Sequence, residues 1–322
     1  MSMMDKTVLY FGLVEISFDV SDFIFQKIKE QNNKIRYYSK SINILGSVKF
    51  INSNQQFIEY DGNGNILVYG RLKYFKEGIS LYYIGEYLAE CLLIEHSDTL
   101  LIHAAAVYNP LSGHSILLLG DKGAGKTTVA IRLCIEHGYH LIGNDQVIFG
   151  SNSGILLTYA GTSFFKIRRT AVLSDNLLFK LFSKFFNRSL QFNKASWDDK
   201  ISIFPKELGI RTCNFSTEIS KIYYIKTDKK EKQIYHSIWS DSLASLYLNE
   251  LLGRHISGQV ACFQSDNGKY FSTMPLINYE KNNRVREQIV KGIFAKQKLF
   301  KITAATPAKI AEAIIENVKK NS

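Results

Sequence analysis

The N-terminal quarter of the chain alternates apolar and polar positions in short runs, a period that predicts β-strands. Strands are expected at Thr7–Val14, Val48–Ile51, Gln56–Tyr60 and Ile66–Tyr69. The last two flank residues 61–65, Asp-Gly-Asn-Gly-Asn, which favour a hairpin turn. These five residues partly match a calcium loop but lack its distal glutamate and flanking helices, so the turn is preferred.

Between residues 84 and 145, helical spacing alternates with short apolar runs. The expected elements are, in order, helix Ile84–His96, strand Leu100–Val107, turn Pro110–Gly113, strand Ile116–Leu119, helix Thr128–Ile135 and strand His140–Asp145. Gly138 follows the second helix, at a position where glycine commonly ends a helix. Together these elements predict a mixed α/β domain.

Beyond residue 145 the pattern predicts more strands and helices. The strands are Gln146–Phe149, Ile222–Ile225, Gln233–His236 and Phe300–Thr303, the middle two joined as a hairpin by the charged loop 226–232. The helices are Leu177–Arg188 after a cap at 174–176, Leu246–Arg254, and one running from Pro307 to about Lys319. In the first of these helices Phe179 and Phe182 belong to an aromatic face. Docking of that face on the domain is preferred over a membrane-surface helix or a lid.

Composition is that of a folded chain with room for two domains. The 322 residues are 46% apolar, with 13% aromatic residues and only four prolines, which argues against disorder. No internal repeat or Pro/Gly/Ser-rich linker divides the sequence. We therefore place a soft boundary between a β-rich N-terminal module, residues 1–80, and a larger domain, residues 81–322.

The formal net charge of +11 indicates an anionic partner. The excess lysines are spread along the chain, without the dense basic block or tail that marks nucleic-acid binding, so no nucleic acid is expected. Most of this charge is expected to be solvated surface, and binding to an anionic surface is the alternative.

One stretch carries recognisable chemistry. Gly120, Gly125, Lys126 and Thr127 match the phosphate-binding pattern GxxxxGK[ST], between an apolar strand and a helix. Glycines let successive backbone N–H groups converge on phosphate oxygens, Lys126 adds a charge at the β- and γ-phosphates, and the Thr127 hydroxyl can ligate Mg²⁺. A glycine-rich turn with an incidental Lys-Thr is the alternative, and the strand and helix argue against it. The expected ATP-binding residues are Gly120, Asp121, Lys122, Gly123, Ala124, Gly125, Lys126, Thr127 and Thr128.

Two polar residues flank this loop in sequence. His103 interrupts the run Leu100–Val107, one short turn before the strand that leads into the loop. Its imidazole could approach the γ-phosphate, and a satisfied core histidine is the alternative. Asp145 ends the strand that follows the helix, about twenty residues after Lys126. There a carboxylate could reach Mg²⁺ or accept a proton from a substrate hydroxyl, and a turn aspartate is the alternative.

The cysteines and the apolar runs bear on location. Cys91, Cys134, Cys213 and Cys262 are far apart and show no CxxC spacing. Four cysteines could form two disulfides, but a site for ATP indicates a reducing cytoplasm with free, buried thiols. No run approaches 18 apolar residues, and the run Val8–Val14 lies between acids without a cleavage site. We therefore expect a cytoplasmic protein without a membrane span or signal peptide.

Three segments, Ile102–Val107, Gly120–Thr128 and Gly138–Asp145, together resemble the catalytic domain of HPr serine kinase/phosphorylase and its smaller relatives, which share a phosphate-loop core with the phosphoenolpyruvate carboxykinases. The resemblance is good over about residues 82–150 and weaker beyond, at Gly161–Arg169 and Asp199–Pro205. The N-terminal third does not resemble the regulatory domain of HPr kinase. The resemblance implies an α/β nucleotide-binding domain with a mixed sheet and, as cofactors, ATP and Mg²⁺. Because family members often form rings or dimers, it leaves a homo-oligomer open.

The resemblance also implies roles for single residues. His103 falls where the family has a histidine beside the reacting phosphate. The family has two consecutive acids after the next strand, one a base toward the serine hydroxyl and one near the metal, whereas this chain has Asn144-Asp145. Since an amide does not accept a proton as a carboxylate does, either Asp145 takes both roles or the substrate differs. HPr itself is not expected to be the substrate.

Further cations could serve an anionic ligand. Lys166 and Arg168 alternate in a strand-like segment and could point together toward a triphosphate or an anionic substrate, with surface charge as the alternative. Glu250 and Arg254 lie four apart in a helical pattern and are expected to form an exposed ion pair. A transition-state arginine is the alternative for Arg254.

These residues predict an ATP- and Mg²⁺-dependent kinase that transfers the γ-phosphoryl group to a hydroxyl, with serine of a small molecule, peptide or protein as the expected acceptor. Lys126, Asp145 and His103 are the expected catalytic residues, and Thr127 and Asp145 the expected metal ligands. The alternative is a nucleotide-binding regulator or scaffold with lost or weak transfer. A third hypothesis keeps phosphoryl chemistry but uses GTP or pyrophosphate as the donor.

Overall fold

The computed structural model describes residues 6–32, 44–152, 155–185, 200–252, 262–264, 270–273, 277, 279–296 and 298–320. Arg188, Asp199 and Arg254, named above, lie outside these ranges. The predicted ion pair or transition-state role of Arg254 therefore stays a prediction.

Helices and strands are interspersed along the chain. The helices are α1 (Asp22–Asn32), α2 (Ile79–Ser97), α3 (Lys126–His137), α4 (Arg169–Ser174), α5 (Asn176–Phe182), α6 (Asp241–Leu251), α7 (Tyr279–Lys296) and α8 (Pro307–Lys320). The strands are β1 (Thr7–Tyr10), β2 (Val14–Asp19), β3 (Ile44–Asn52), β4 (Phe57–Tyr60), β5 (Asn65–Gly70), β6 (Thr99–Ile102), β7 (Ala105–Asn109), β8 (His114–Leu119), β9 (His140–Gly143), β10 (Val147–Asn152), β11 (Ile155–Gly161), β12 (Phe165–Arg168), β13 (Lys200–Ile203), β14 (Thr217–Thr227), β15 (Tyr235–Ile238), β16 (Cys262–Gln264), β17 (Tyr270–Thr273) and β18 (Leu299–Ala304). The fold is mixed α/β with mixed sheets, as predicted.

The chain divides by its internal contacts into two compact units. Unit 1 combines the residues up to Ile102 with Ile148–Ala160 and Ser242–Ala295, and unit 2 combines His103–Val147, Gly161–Asp241 and the residues from Lys296. Each unit is therefore assembled from segments distant in sequence. The soft boundary expected near residue 80, between a β-rich N-terminal module and a larger domain, stays a prediction.

Unit 1 contains a five-stranded sheet in the order β1-β2-β3-β5-β4. β2, β3 and β5 run parallel to one another, whereas β1 and β4 are antiparallel to their neighbours. Helix α2 packs against the sheet, and the Tyr10 hydroxyl donates a hydrogen bond to the carbonyl of Tyr82 at 2.7 Å. The predicted hairpin of β4 and β5 is confirmed. The Asp61 carboxylate accepts from the backbone N–H groups of Asn63 and Asn65, which makes the segment a turn.

The prediction of one strand over Thr7–Val14 is wrong. Phe11 and Gly12 have φ values of 56° and 69°, so the chain reverses and β1 pairs with β2 as an antiparallel hairpin. All residues from Tyr10 to Val14 are buried. The continuous apolar run therefore reflects a turn inside the core, a case that periodicity does not separate from a buried strand.

Unit 2 is built on a sheet in which β9, β7, β8, β14, β18 and β15 lie side by side in this order. β8, β14 and β18 are parallel, and β7 and β15 are antiparallel to their neighbours. Helices α3 and α8 contact each other and join the sheet in one apolar core. This order contradicts the predicted hairpin across loop 226–232, because β18 lies between the two strands that the loop connects.

Two further predictions need correction. The run Leu100–Val107 is not one strand, because β6 ends at Ile102 and β7 begins at Ala105, with His103 exposed between them. The helix expected from Leu177 continues only to Phe182 before a short 3₁₀ turn, although its cap is confirmed, since Asp175 accepts a hydrogen bond from the Leu178 N–H. Phe182 docks in the core as predicted, whereas Phe179, which was expected on the same docked face, is 48% exposed.

Three of the four cysteines behave as predicted. Cys91, Cys134 and Cys213 are buried and free in the part of the chain that the structure describes. Among the described residues, no helix is long and apolar enough to cross a membrane.

Candidate functional site

The predicted site residues of unit 2 converge on one edge of its sheet. β8 ends at Leu119, immediately before the glycine-rich loop, residues 120–125, and β9 ends at Gly143, immediately before Asn144-Asp145. β7 lies between these strands, with Ala105 opposite Leu118 and Ala106 opposite Gly143. His103, two residues before Ala105, is therefore at the same edge.

The loop adopts a conformation that requires glycine. Gly120, Gly123 and Gly125 have φ values of 148°, 90° and 96°, which residues with a side chain rarely adopt. A Cβ atom on Gly120 would lie 2.5 Å from the carbonyl oxygen of Ile225, and one on Gly125 would lie 2.8 Å from the Thr227 hydroxyl. Substitution at either position would therefore strain the loop backbone, and a side chain at position 120 would also displace the backbone of β14.

Helix α3 begins directly at this loop. Its N-cap residue is Gly125, which offers no side-chain acceptor to the first turn. Helix geometry leaves the first N–H groups without an intrahelical partner and gives this end a partial positive charge. The N-terminus of α3 can thus accept an anion.

Lys126 is held inside the loop. Its side chain is 6% exposed, and Nζ donates to the carbonyl oxygens of Gly120 at 2.6 Å and Asp121 at 3.2 Å. Burial lowers the pKa of this ammonium from 10.5 to about 8, and the carboxylates of Asp145 and Asp121 oppose the fall. An anion placed at the loop would stabilise the charged form.

Thr127 and Asn144 are hydrogen-bonded across the site. The Thr127 hydroxyl donates to Oδ1 of Asn144 at 2.9 Å, which leaves the hydroxyl oxygen lone pairs available to a cation. Asn144 is 1% exposed, and its Nδ2 has no hydrogen-bond partner in the described part of the chain. The amide therefore orients the hydroxyl while keeping one buried donor unsatisfied, which costs about 1–3 kcal/mol.

Asp145 occupies a left-handed backbone position beside this pair. Its φ is 70°, and its side chain is half-buried. The neighbouring chain is held by Thr162, which accepts from the Asn144 N–H at 3.1 Å and donates its own N–H to Gln146 at 3.0 Å. These hydrogen bonds are made by the residues directly before and after Asp145. They hold the backbone that carries the Asp145 carboxylate, although Asp145 lies beyond the end of β9.

Two glycines, Gly143 and Gly161, allow the backbone before Asn144 and the backbone before Thr162 to lie close together. A Cβ atom on Gly143 would lie 2.4 Å from the Cα of Gly161, and the reverse distance is also 2.4 Å. Gly161 belongs to the segment that the resemblance matched weakly, and its role here is a backbone contact.

Strand β14 braces the loop from the other side, which sequence reasoning missed. The Tyr224 hydroxyl donates to Oδ2 of Asp121 at 2.9 Å, and the Thr227 hydroxyl donates to the carbonyl of Ala124 at 2.9 Å. Both residues lie about 100 positions after the loop. The sequence shows polar residues at the end of an apolar strand, but this pattern does not identify the loop as the segment that they contact.

The remaining predicted residues lie on β12, on the loop and in the first turn of α3. Lys166 and Arg168 point to one face of β12, since Phe165 and Ile167 on the other face are buried. Lys122 is exposed on the loop, and Thr128 is buried in the first turn of α3.

The donor set is compatible with phosphate groups and a Mg²⁺ ion. Among the described residues, no group of three or more His, Cys, Asp or Glu side chains could hold a metal by itself. A magnesium ion bound with a nucleotide needs only one or two protein ligands in addition to phosphate oxygens and water. Thr127 and Asp145 would be those ligands, and Lys126 with the first N–H groups of α3 would hold the phosphates.

Comparison with known proteins gives little further support. No family model matches the chain, and no curated protein matches it. A solved structure of the Hpr(Ser) kinase/phosphatase from Coxiella burnetii is similar with a TM-score of 0.31 and 11% identity, over 68% of this chain and 97% of that chain. A similarity of this size establishes neither the family nor the chemistry of the chain.

Proposed function

We propose that the protein is an ATP- and Mg²⁺-dependent phosphotransferase acting on a hydroxyl, with serine as the expected acceptor. The observation that carries the proposal is the convergence of Lys126, Thr127 and Asp145 at one sheet edge, beside the N-terminus of α3. A buried lysine and open helix N–H groups favour a phosphate, and a carboxylate beside them can accept a proton.

Each residue has a distinct task. Lys126 and the loop amides bind the phosphates and offset negative charge as it develops on them. Thr127, oriented by Asn144, and Asp145 would hold the metal ion, and Asp145 also accepts the proton of the attacking hydroxyl. When bound, Mg²⁺ would neutralise phosphate charge. His103 lies at the same edge of the sheet and contributes to turnover as a second polar side chain.

The test is a transfer assay with γ-labelled ATP and a pool of serine-bearing metabolites and peptides. Lys126→Ala should abolish transfer and ATP binding. Asp145→Asn should lower turnover by about 100-fold or more and leave binding of ATP without Mg²⁺ within a few fold, since the loop is untouched. His103→Ala should reduce turnover more than ATP affinity. Label appearing in no acceptor, with tight ATP binding intact, would refute the proposal.

A nucleotide-binding regulator is the second candidate, and Asn144 favours it. An amide stands next to Asp145, and it holds Thr127 without supplying a base. Asn144→Asp separates the two functions. The variant should gain transfer if a missing carboxylate limits the chemistry, and a pure binder should remain without transfer.

A further inference from the structure

The segment that leaves β14 is fastened to the glycine-rich loop. The Thr227 hydroxyl donates to the carbonyl of Ala124 at 2.9 Å. The next residue, Asp228, donates its N–H to the carbonyl of Ala304 at the end of β18, also at 2.9 Å. β8, β14 and β18 are parallel, and ligands of such sheets bind at the carboxyl ends of the strands. Asp228 therefore stands at a fixed place beside the candidate phosphate site.

The order of the strands gives a bound triphosphate a direction. β9, β7, β8, β14 and β18 lie side by side, and the glycine-rich loop follows the middle strand, β8. Asp145 and His103 lie on the side of β9 and β7. A γ-phosphate that is transferred next to Asp145 points to that side, so the rest of the nucleotide extends over the ends of β14 and β18. Neighbouring strands are about 4.8 Å apart, which places β18 about 10 Å from β8.

Asp228 offers hydrogen-bond acceptors on that second side. Its side chain is 30% exposed, Oδ1 accepts from the Lys230 N–H at 3.1 Å, and Oδ2 lies 3.4 Å from the Lys226 ammonium. These two contacts lower the pKa of the carboxyl. An ionised carboxylate has about four lone-pair positions and no donor, so its oxygens can accept from hydroxyl groups in addition to these contacts.

We propose that Asp228 binds the ribose hydroxyls of the nucleotide, so that the phosphoryl donor is a nucleoside triphosphate rather than pyrophosphate or another inorganic polyphosphate. A phosphate oxygen gains nothing from an acceptor whose charge Lys226 already balances, whereas the two hydroxyls of a ribose are donors. Asp228 directly follows the residue that contacts the loop, and the ribose is the part of a nucleoside next to the phosphates. The inference rests on the proposed function only for the direction of the triphosphate.

The experiment measures binding by calorimetry, using the full chain without Mg²⁺. The ligands are ATP, 2′,3′-dideoxy-ATP, which lacks both ribose hydroxyls, and inorganic tripolyphosphate, which lacks the nucleoside. ATP should bind about 10-fold more tightly than either of the others, because hydrogen bonds to a charged group are strong. Dideoxy-ATP or tripolyphosphate that binds as tightly as ATP would overturn the proposal. So would an ATP that does not bind.

Asp228→Asn tests the residue and keeps an oxygen for the Lys230 N–H, so the turn is retained. The variant should bind ATP about 10-fold more weakly than wild type. It should distinguish ATP from dideoxy-ATP by no more than about twofold, since the carboxylate and the hydroxyls act as one pair. Its affinity for tripolyphosphate should not fall. Unchanged ATP binding, or an equal loss for ATP and dideoxy-ATP, would overturn the assignment to the ribose.

Glu231→Gln is the matched control. It removes the other acid of the loop 226–232 and changes the net charge by the same amount. Its ATP affinity should stay within about twofold of wild type, because an exposed charge contributes little. A loss as large as that of Asp228→Asn would mean a non-specific effect of charge and would overturn the assignment.

The transfer assay separates this inference from the proposed function. ATP binding that depends on Asp228 and on the ribose hydroxyls, without label transfer to any acceptor, would refute the proposed function and leave the ribose site in place. Label transfer from ATP by a protein whose ATP affinity is the same in wild type and Asp228→Asn would do the reverse.

Discussion

Raising the pH should stabilise the wild-type protein relative to a Lys126→Met variant. Burial lowers the pKa of Lys126 in the folded protein from 10.5 to about 8, whereas the unfolded chain keeps the ordinary value. Between these two values the unfolded state binds more protons than the folded state, so the free energy of unfolding rises with pH. The variant lacks the titrating group and lacks this rise.

The magnitude follows from the size of the pKa change. One pKa unit corresponds to about 1.4 kcal/mol, so full deprotonation is worth roughly 3 kcal/mol. About 2 kcal/mol of this amount is added to the free energy of unfolding between pH 7 and pH 9.5. Most of the gain comes above the folded pKa of Lys126, where the folded state has lost the proton and the unfolded state still holds it.

The measurement is urea unfolding of both proteins without nucleotide, at several pH values from about 7 to 9.5. Other groups titrate in this range. Burial raises the pKa of Glu90 to about 8, for example, so stability falls as the pH rises towards 8, because the folded state keeps a proton that the unfolded state has released. Because both proteins contain Glu90, the difference between them isolates Lys126. Parallel curves, or a difference that shrinks with pH, would refute the reasoning.

Three further predictions concern the loop and its supports. ATP affinity, measured by calorimetry, should fall above about pH 8 by up to about 10-fold per pH unit, because Lys126 must be charged to hold phosphate. Gly161→Ala should lower the free energy of unfolding by about 3 kcal/mol, because the new Cβ would lie 2.4 Å from the Cα of Gly143. Tyr224→Phe should cost about 1 kcal/mol in unfolding free energy and weaken ATP binding several-fold, because Asp121 loses a hydrogen bond.

Matched controls accompany the two substitutions. Gly292→Ala adds a Cβ with no neighbour closer than 3.9 Å in α7 and should stabilise the protein by up to about 1 kcal/mol. Tyr235→Phe removes the hydroxyl of an exposed tyrosine and should change stability by less than about 0.5 kcal/mol. A loss in either control as large as in its partner would contradict the stated cause, as would an ATP affinity independent of pH.

The loop and its flanking elements could be predicted because their signals are local. Glycines, the following Lys-Thr and Gly138 all act within a few residues of where they stand, and β8, α3 and the αL end of α3 at Gly138 agree with them. The predictions that were wrong depend on which strands pair in the folded protein. The loop 226–232 has the composition of a hairpin turn, yet β18 inserts between its strands.

The residue types of the site could be predicted from the sequence. The residues that hold them in place were predicted less well. Asn144 was interpreted as a lost base, and the structure adds that its Oδ1 accepts a hydrogen bond from the Thr127 hydroxyl at 2.9 Å. Tyr224 and Thr227 were missed because a hydrogen bond between side chain and loop, made across about 100 residues of sequence, leaves no periodic pattern.

The position of β18 has a consequence for biosynthesis. β14, whose end braces the loop, gains its second parallel neighbour only when residues 299–304 have been made, some 70 residues later. Until then residues 222–227 of β14, and β15, present edges that can pair with other chains. Such non-local, parallel closure is slow. A polypeptide released early, before β18, would therefore carry the complete glycine-rich sequence without a completed sheet, and we expect it to aggregate rather than to bind nucleotide.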